Sequence, residues 1–83
     1  MTYYVYVLMS EKDSRLYKGM TSDIVKRLKE HNAGRNFSTK PYIPWKLIYS
    51  KSFENRLSAR EYEKYLKSGV GREFLKILKN KTE

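Results

Sequence analysis

A guanidinium, an imidazole, two phenols and a carboxylate stand out in this chain because periodicity sets them on faces that ought to be apolar. Arg27 and His31 are one helical turn apart, edging a stripe formed by Ile24, Leu28 and His31. Glu63 follows Ala59 by four positions and lies beside a second stripe of Ala59, Tyr62 and Leu66, whereas Glu61 projects from the opposite side. Tyr6 alternates with Tyr4 and Leu8, and Tyr17 shares a strand face with Gly19. Such groups bind anions, move protons and take up a hard cation. Each also has an ordinary explanation. Arginine snorkels over helix edges, a lone histidine in a stripe is commonly structural, and Glu63 can pair with Lys67 at i+4. Tyrosines in a small core pack their rings and send the hydroxyl to a wet edge.

These residues need elements to hold them. Tyr3 to Leu8 is aromatic and β-branched throughout, which predicts a strand covered on both faces. A polar turn over Glu11–Ser14 leads to a second strand, Leu16–Met20, in an antiparallel hairpin. Gly19 leaves a strand position without a side chain, the mark of a bulge or of close approach by another group. Thr21-Ser22-Asp23 offers N-cap chemistry for a helix to about His31, which Gly34 stops in a left-handed conformation. Residues 35–44 carry two prolines and are expected to loop, and Trp45–Tyr49 reads as a third strand. A helix over about Leu57–Lys67 follows, with Ser58-Ala59-Arg60-Glu61 fitting a capping box, then a break at Ser68–Gly71. A last helix spans about Arg72–Lys79, with Phe74, Leu75 and Leu78 turned inward. The expected class is α+β: a small three-stranded mixed or antiparallel sheet with flanking helices, in the order β-β-α-β-α-α.

At 83 residues the chain is expected to be one domain, residues 1–83. With no cysteine it lacks thiol nucleophiles, disulfides and Cys-ligated zinc, and a single histidine excludes a His pair at a metal. The net charge of +9 points to a polyanionic partner, nucleic acid ahead of an anionic membrane. The apolar run Tyr3–Met9 is too short to span a bilayer and lacks signal-peptide flanks, so a cytoplasmic protein is expected.

The order of short segments says more. Tyr4-Val5-Tyr6, Tyr17-Lys18-Gly19-Met20-Thr21, Asp23-Ile24-Val25-Lys26-Arg27-Leu28, His31-Asn32-Ala33-Gly34 and Glu63-Lys64-Tyr65-Leu66-Lys67 together resemble the GIY-YIG nuclease superfamily, and its small stand-alone members in particular. The resemblance runs from Tyr3 to about Phe74. Tyr4 stands where the first family motif has Gly, and Lys18 where the second has Ile. Met20 stands where some repair nucleases of the superfamily carry Lys.

The resemblance implies a metal-dependent endonuclease acting on DNA, selective for structure rather than sequence, in DNA repair or processing. In that scheme Tyr17 is the general base, Tyr6 lines the site and positions water, and Arg27 binds the scissile phosphate. His31 assists proton transfer or phosphate contact, and Glu63 holds a single divalent metal, Mg2+ or Mn2+. Lys18, Lys26, Arg27 and Lys46 are expected to contact nucleic acid, and no organic cofactor is implied. A non-catalytic nucleic-acid-binding domain that keeps the fold is the alternative. There Lys12, Lys18, Lys26, Lys29, Lys40, Lys46 and Lys51 would track a backbone, with Tyr42 or Trp45 as a stacking surface. Oligomeric state is left open.

Two expectations come directly from the residues. Truncating Leu28 should cost more stability than truncating His31, since it empties a core position. Affinity for duplex DNA should fall with added salt and vary little with sequence, because charge rather than base-reading side chains supplies the contact. Titrating one duplex across salt concentrations checks the second; a flat log K against log salt would contradict it.

Overall fold

The computed structural model describes residues 1–82. Three antiparallel strands, β1 (Tyr3–Ser10), β2 (Leu16–Thr21) and β3 (Trp45–Phe53), form a sheet in the order β2-β1-β3. The helices are α1 (Ile24–Asn32), α2 (Arg56–Leu66) and α3 (Gly69–Thr82), with a 3-10 turn at Lys40–Tyr42. The α+β class and the order β-β-α-β-α-α are those expected.

The middle strand explains its own composition. Every residue from Val5 to Ser10 is buried, because helices cover both faces of β1. On one face Val5 and Val7 pack with Ala59 and Leu66 of α2 and Leu75 of α3. On the other, Tyr6, Leu8 and Trp45 pack with Leu28 of α1 and with Tyr17 and Ile43. The sheet therefore separates two small cores. Asp23 caps α1 by accepting from the Lys26 N–H at 3.0 Å, and Gly34 takes the left-handed φ of +76° that the helix stop requires.

Three boundaries differ from the sequence reading. β3 runs on to Phe53, because it pairs with β1 along its whole length despite the polar run Ser50-Lys51-Ser52. The capping box at Ser58 does not form. Asn55 is the cap, its side chain taking the Ser58 N–H at 2.8 Å, so α2 begins at Arg56. Nor do Ser68–Gly71 break the helical run for long; Gly69–Gly71 are the first turn of α3. The Ser68 hydroxyl donates to the Tyr65 carbonyl at 2.6 Å and accepts from the Gly71 N–H at 3.3 Å, ending one helix and starting the next. Gly71 is glycine for steric reasons, since a β-carbon there would strike the Tyr65 carbonyl and the Leu66 backbone.

This corner makes an internally controlled prediction. Gly71→Ala should cost about 1–3 kcal/mol through backbone overpacking. Gly69→Ala, with nothing within 4 Å of the new methyl, should be neutral or gain up to about 1 kcal/mol. Urea unfolding of both variants measures the difference.

Candidate active site

Tyr6 is placed by the residue opposite it. Its partner across the β1–β2 ladder is Gly19, and a β-carbon there would sit 2.5 Å from the Tyr6 hydroxyl and 2.6 Å from Cζ. The close approach expected at Gly19 is this phenol, lying over bare backbone. Its hydroxyl reaches His31 Nε2 at 3.1 Å, and His31 Nδ1 lies 2.8 Å from Thr39 Oγ1. Tyr17, two residues before Gly19, packs its ring edge-on to His31 at 4.9 Å and tilted to Tyr6 at 6.3 Å between centroids.

Counting protons orders this chain. Burial raises the Tyr6 pKa above its ordinary 10.0, Arg27 opposes the shift, and the charges of Tyr17 and Glu63 add to it, so Tyr6 stays a hydrogen-bond donor. Burial, reinforced by Arg27 and opposed by Glu30, lowers the His31 pKa below 6.5, so the ring is neutral near pH 7. Tyr6 O–H then donates to Nε2, Nδ1–H donates to Thr39, and the Thr39 hydroxyl points to the Asn36 carbonyl at 3.4 Å. The loop that brings Thr39 in is clamped at its far end. The Trp45 indole donates to the Thr39 carbonyl at 2.9 Å, and the Asn32 amide grips the Trp45 backbone at 2.7 and 3.0 Å.

Arg27 is half-buried beside the two phenols and bonds Glu30 at 3.1 Å. Burial works against its charge, but Tyr6 and Glu30 outweigh that and raise its pKa; the proximity of Tyr17 acts in the same direction. Glu63 comes from α2, on the opposite face of the sheet from α1. Its side chain is 17% exposed, 3.5 Å from Lys67 Nζ and 3.9 Å from Arg60 Nε, both of them exposed chain ends. No cluster of three His, Asp or Glu side chains gathers among the described residues. One accessible carboxylate fits a hard ion such as Mg2+ or Mn2+, which keeps most of its water and takes oxygens from a phosphate.

Tyr6, Tyr17, Arg27 and His31 thus meet at one place, while the contacts of Glu63 are to Lys67 and Arg60 of its own helix and its end. The expected lysines do not join them. Lys26 lies on the outer side of α1 with Lys29 and Arg35, along a shallow surface hollow. Lys46 is half-buried opposite Met9, and Lys18 sits opposite Val7 on the α2–α3 side. Trp45 cannot be a stacking surface: at 3% exposure its indole is core, locked by the Thr39 carbonyl. Glu30, on the same helix, is drawn toward Arg27 at 3.1 Å and does not point freely to solvent. The order of Leu28 and His31 also reverses. Leu28 is only half-buried, whereas His31 has no exposed surface and uses both ring nitrogens. Thr39 and the Asn32 clamp carried no sequence signal, since Thr39 sits in an aperiodic loop and Asn32 looks like a helix end.

Comparison with known proteins finds relatives over nearly the whole chain. Residues 2–76 match the family model of the GIY-YIG catalytic domain. A UPF0213 protein of Clostridium perfringens is 38% identical over 80 residues, covering 95% of this chain and 85% of its own. A UPF0213 protein of Lactococcus lactis subsp. cremoris is 40% identical over 81 residues, covering 95% and 82%. The solution NMR structure of a UPF0213 protein from Bacillus halodurans superposes with a TM-score of 0.56 at 31% identity, covering 94% and 85%.

His31 is the chain's one histidine, so stability near neutral pH reports it. The unfolded chain takes up the proton at about 6.5 and the fold resists it, so stability should fall as pH drops from about 7 to 5. Denaturation across that range should show the decline in wild type and its loss in His31→Gln. At pH 7, His31→Ala should cost more than Leu28→Ala, with about 1–3 kcal/mol arising from the stranded Tyr6 and Thr39 hydroxyls alone.

Proposed function

This chain belongs to the GIY-YIG family, and on that footing we propose that it is a single-metal endonuclease that hydrolyses phosphodiester bonds in DNA. The observation that carries the reading is the meeting of Tyr6, Tyr17, Arg27 and His31. The family is nuclease-type. The charge of +9 supports contact with the nucleic-acid backbone rather than with base edges, so the proposal extends to selectivity for DNA structure over sequence and to work in DNA repair or processing.

Burial divides the work between the tyrosines. Tyr6 is 3% exposed with its hydroxyl committed to His31, which suits holding and orienting water rather than losing a proton. Tyr17 is half-buried, and its hydroxyl makes no protein hydrogen bond among the described residues. It is the phenol free to take a proton from the attacking water. The Arg27 guanidinium lies close to both phenols, where it can meet the phosphate that the water attacks. Glu30 engages one Arg27 nitrogen, which leaves other donors of the fork for a phosphate. The water oxygen bonds to phosphorus as the bond to the leaving oxygen breaks, and solvent protonates that oxygen. Glu63 would hold a divalent ion, whose charge would stabilise the negative charge gathering on the phosphate oxygens.

Glu63→Gln and Glu61→Gln change net charge equally, and Glu61 is exposed on the other side of α2. In a Mg2+- or Mn2+-dependent cleavage assay on branched, nicked and single-stranded DNA, Glu63→Gln should abolish cleavage while binding persists. Glu61→Gln should cleave like wild type and shift stability by no more than about 0.5 kcal/mol. Tyr17→Phe should lose about 10²–10⁴-fold in rate. Equal cleavage by both Gln variants would leave a binding domain as the better account.

A further inference from the structure

A second group of charges gathers where β2 meets the α2–α3 corner. Lys18 projects from β2 on the face that carries Leu16 and Met20, toward α2 and α3, and is half-buried there. Lys67 is the residue that ends α2, and Arg72 lies just past the first turn of α3. The corner between them is stiff. The Ser68 hydroxyl ties Tyr65 to Gly71, and Gly71 seats against the Tyr65 and Leu66 backbone. Lys18 is held by the strand register between Tyr17 and Gly19, the two residues that shape the candidate active site.

Lys18 faces the corner at which Lys67 and Arg72 stand, and few carboxylates there neutralise the three cations. Among the described residues neither Lys18 nor Arg72 has a carboxylate within 4 Å, and Lys67 has only Glu63 at 3.5 Å, which Arg60 shares. Burial first, and then the charges of Lys67 and Arg72, hold the Lys18 amine below its ordinary value of 10.5. Such crowding destabilises the free fold unless an anion relieves it.

We propose that Lys18, Lys67 and Arg72 form a second phosphate site, which holds the backbone of the bound DNA strand beyond Glu63 from Arg27. Arg72 supplies a planar fork for a phosphodiester, and the two lysines supply point charges. Contact through Lys67 to Glu63 puts the site next to the carboxylate assigned to the metal, so a strand bound at that carboxylate would continue onto it. The inference rests on the DNA-binding part of the proposed function and adds the course of the strand.

The test measures binding of a fluorescent DNA duplex by anisotropy, in EDTA so that no cleavage intervenes, together with melting of the free protein. Lys18→Gln and Arg72→Gln are compared with Lys81→Gln, an equal charge change in the last turn of α3, about 13 Å along the helix from Arg72. Each of the two site variants should weaken binding about tenfold more than the control and lower the salt slope by about 1. Melting temperature should stay level or rise in both, as repulsion is relieved. Equal losses in all three variants would mean bulk charge alone and overturn the site. Lower melting temperatures accompanying the weaker binding would assign the cluster a structural role instead. Inorganic phosphate stabilising wild type as strongly as the duplex does would overturn the strand assignment in favour of free phosphate, and a wild type that binds no duplex would overturn the proposal outright. If Glu63 governs cleavage while Lys18 and Arg72 behave like Lys81, the nuclease reading stands and this site falls. If the site variants lose binding as expected but the Glu63 and Glu61 variants cleave alike, the site stands without the nuclease.

Discussion

The arrangement depends on a phenol lying over a glycine. Tyr6 belongs to the buried middle strand, where a ring so large has to find volume, and Gly19 opposite supplies it by having no side chain. That placement sends the hydroxyl to His31 rather than to solvent, and it puts Tyr17, two residues along the same strand face, against the same imidazole. Any residue other than glycine at position 19 displaces the ring and with it the hydrogen-bonded chain through His31 to Thr39. Core packing and site geometry are here one contact.

This overlap shows how 83 residues can carry a candidate site. A small fold has little interior to spare, and its two cores share β1 as a wall. The groups of interest are built into that wall and its coverings, so His31 is at once among the largest fully buried side chains and a link in the polar chain. Burying it neutral costs little, because both nitrogens keep partners. The charged groups Arg27 and Glu63 stay at the rim, where solvent still reaches them.

Most of the fold was legible in the sequence, and so was the inward turn of Tyr6 and His31, both buried. Alternation in Tyr3–Leu8 and the helical stripes through Leu28 and Leu66 depend on one element at a time, which is what periodicity reads. The misreadings involve two elements at once. Gly69 and Gly71 looked like a break because glycine disfavours helices, but Gly71 answers a steric demand made by α2. Ser58 had the right chemistry for a cap and lost to Asn55, which lies at the point where β3 ends. Trp45 looked available for stacking until the loop carrying Thr39 folded over it. Lys18, Lys67 and Arg72 lie far apart in the chain, and only the register of β2 and the stiff α2–α3 corner bring them together.

A strand hydrogen-bonded on both edges and covered on both faces has no partial way of opening. Amide protons of Val5 to Leu8 can then meet solvent only when the whole domain comes apart, while the ends of α3 and the outer edge of β3 can fray on their own. The hydroxyl of Tyr6 belongs to the slowest-exchanging part of the molecule, shielded from the fluctuations that run through its periphery. A protease nicking the far end of α3 would meet a chain whose Tyr6–His31–Thr39 hydrogen bonds are still intact, and the two events, trimming and the loss of those bonds, would run on separate clocks.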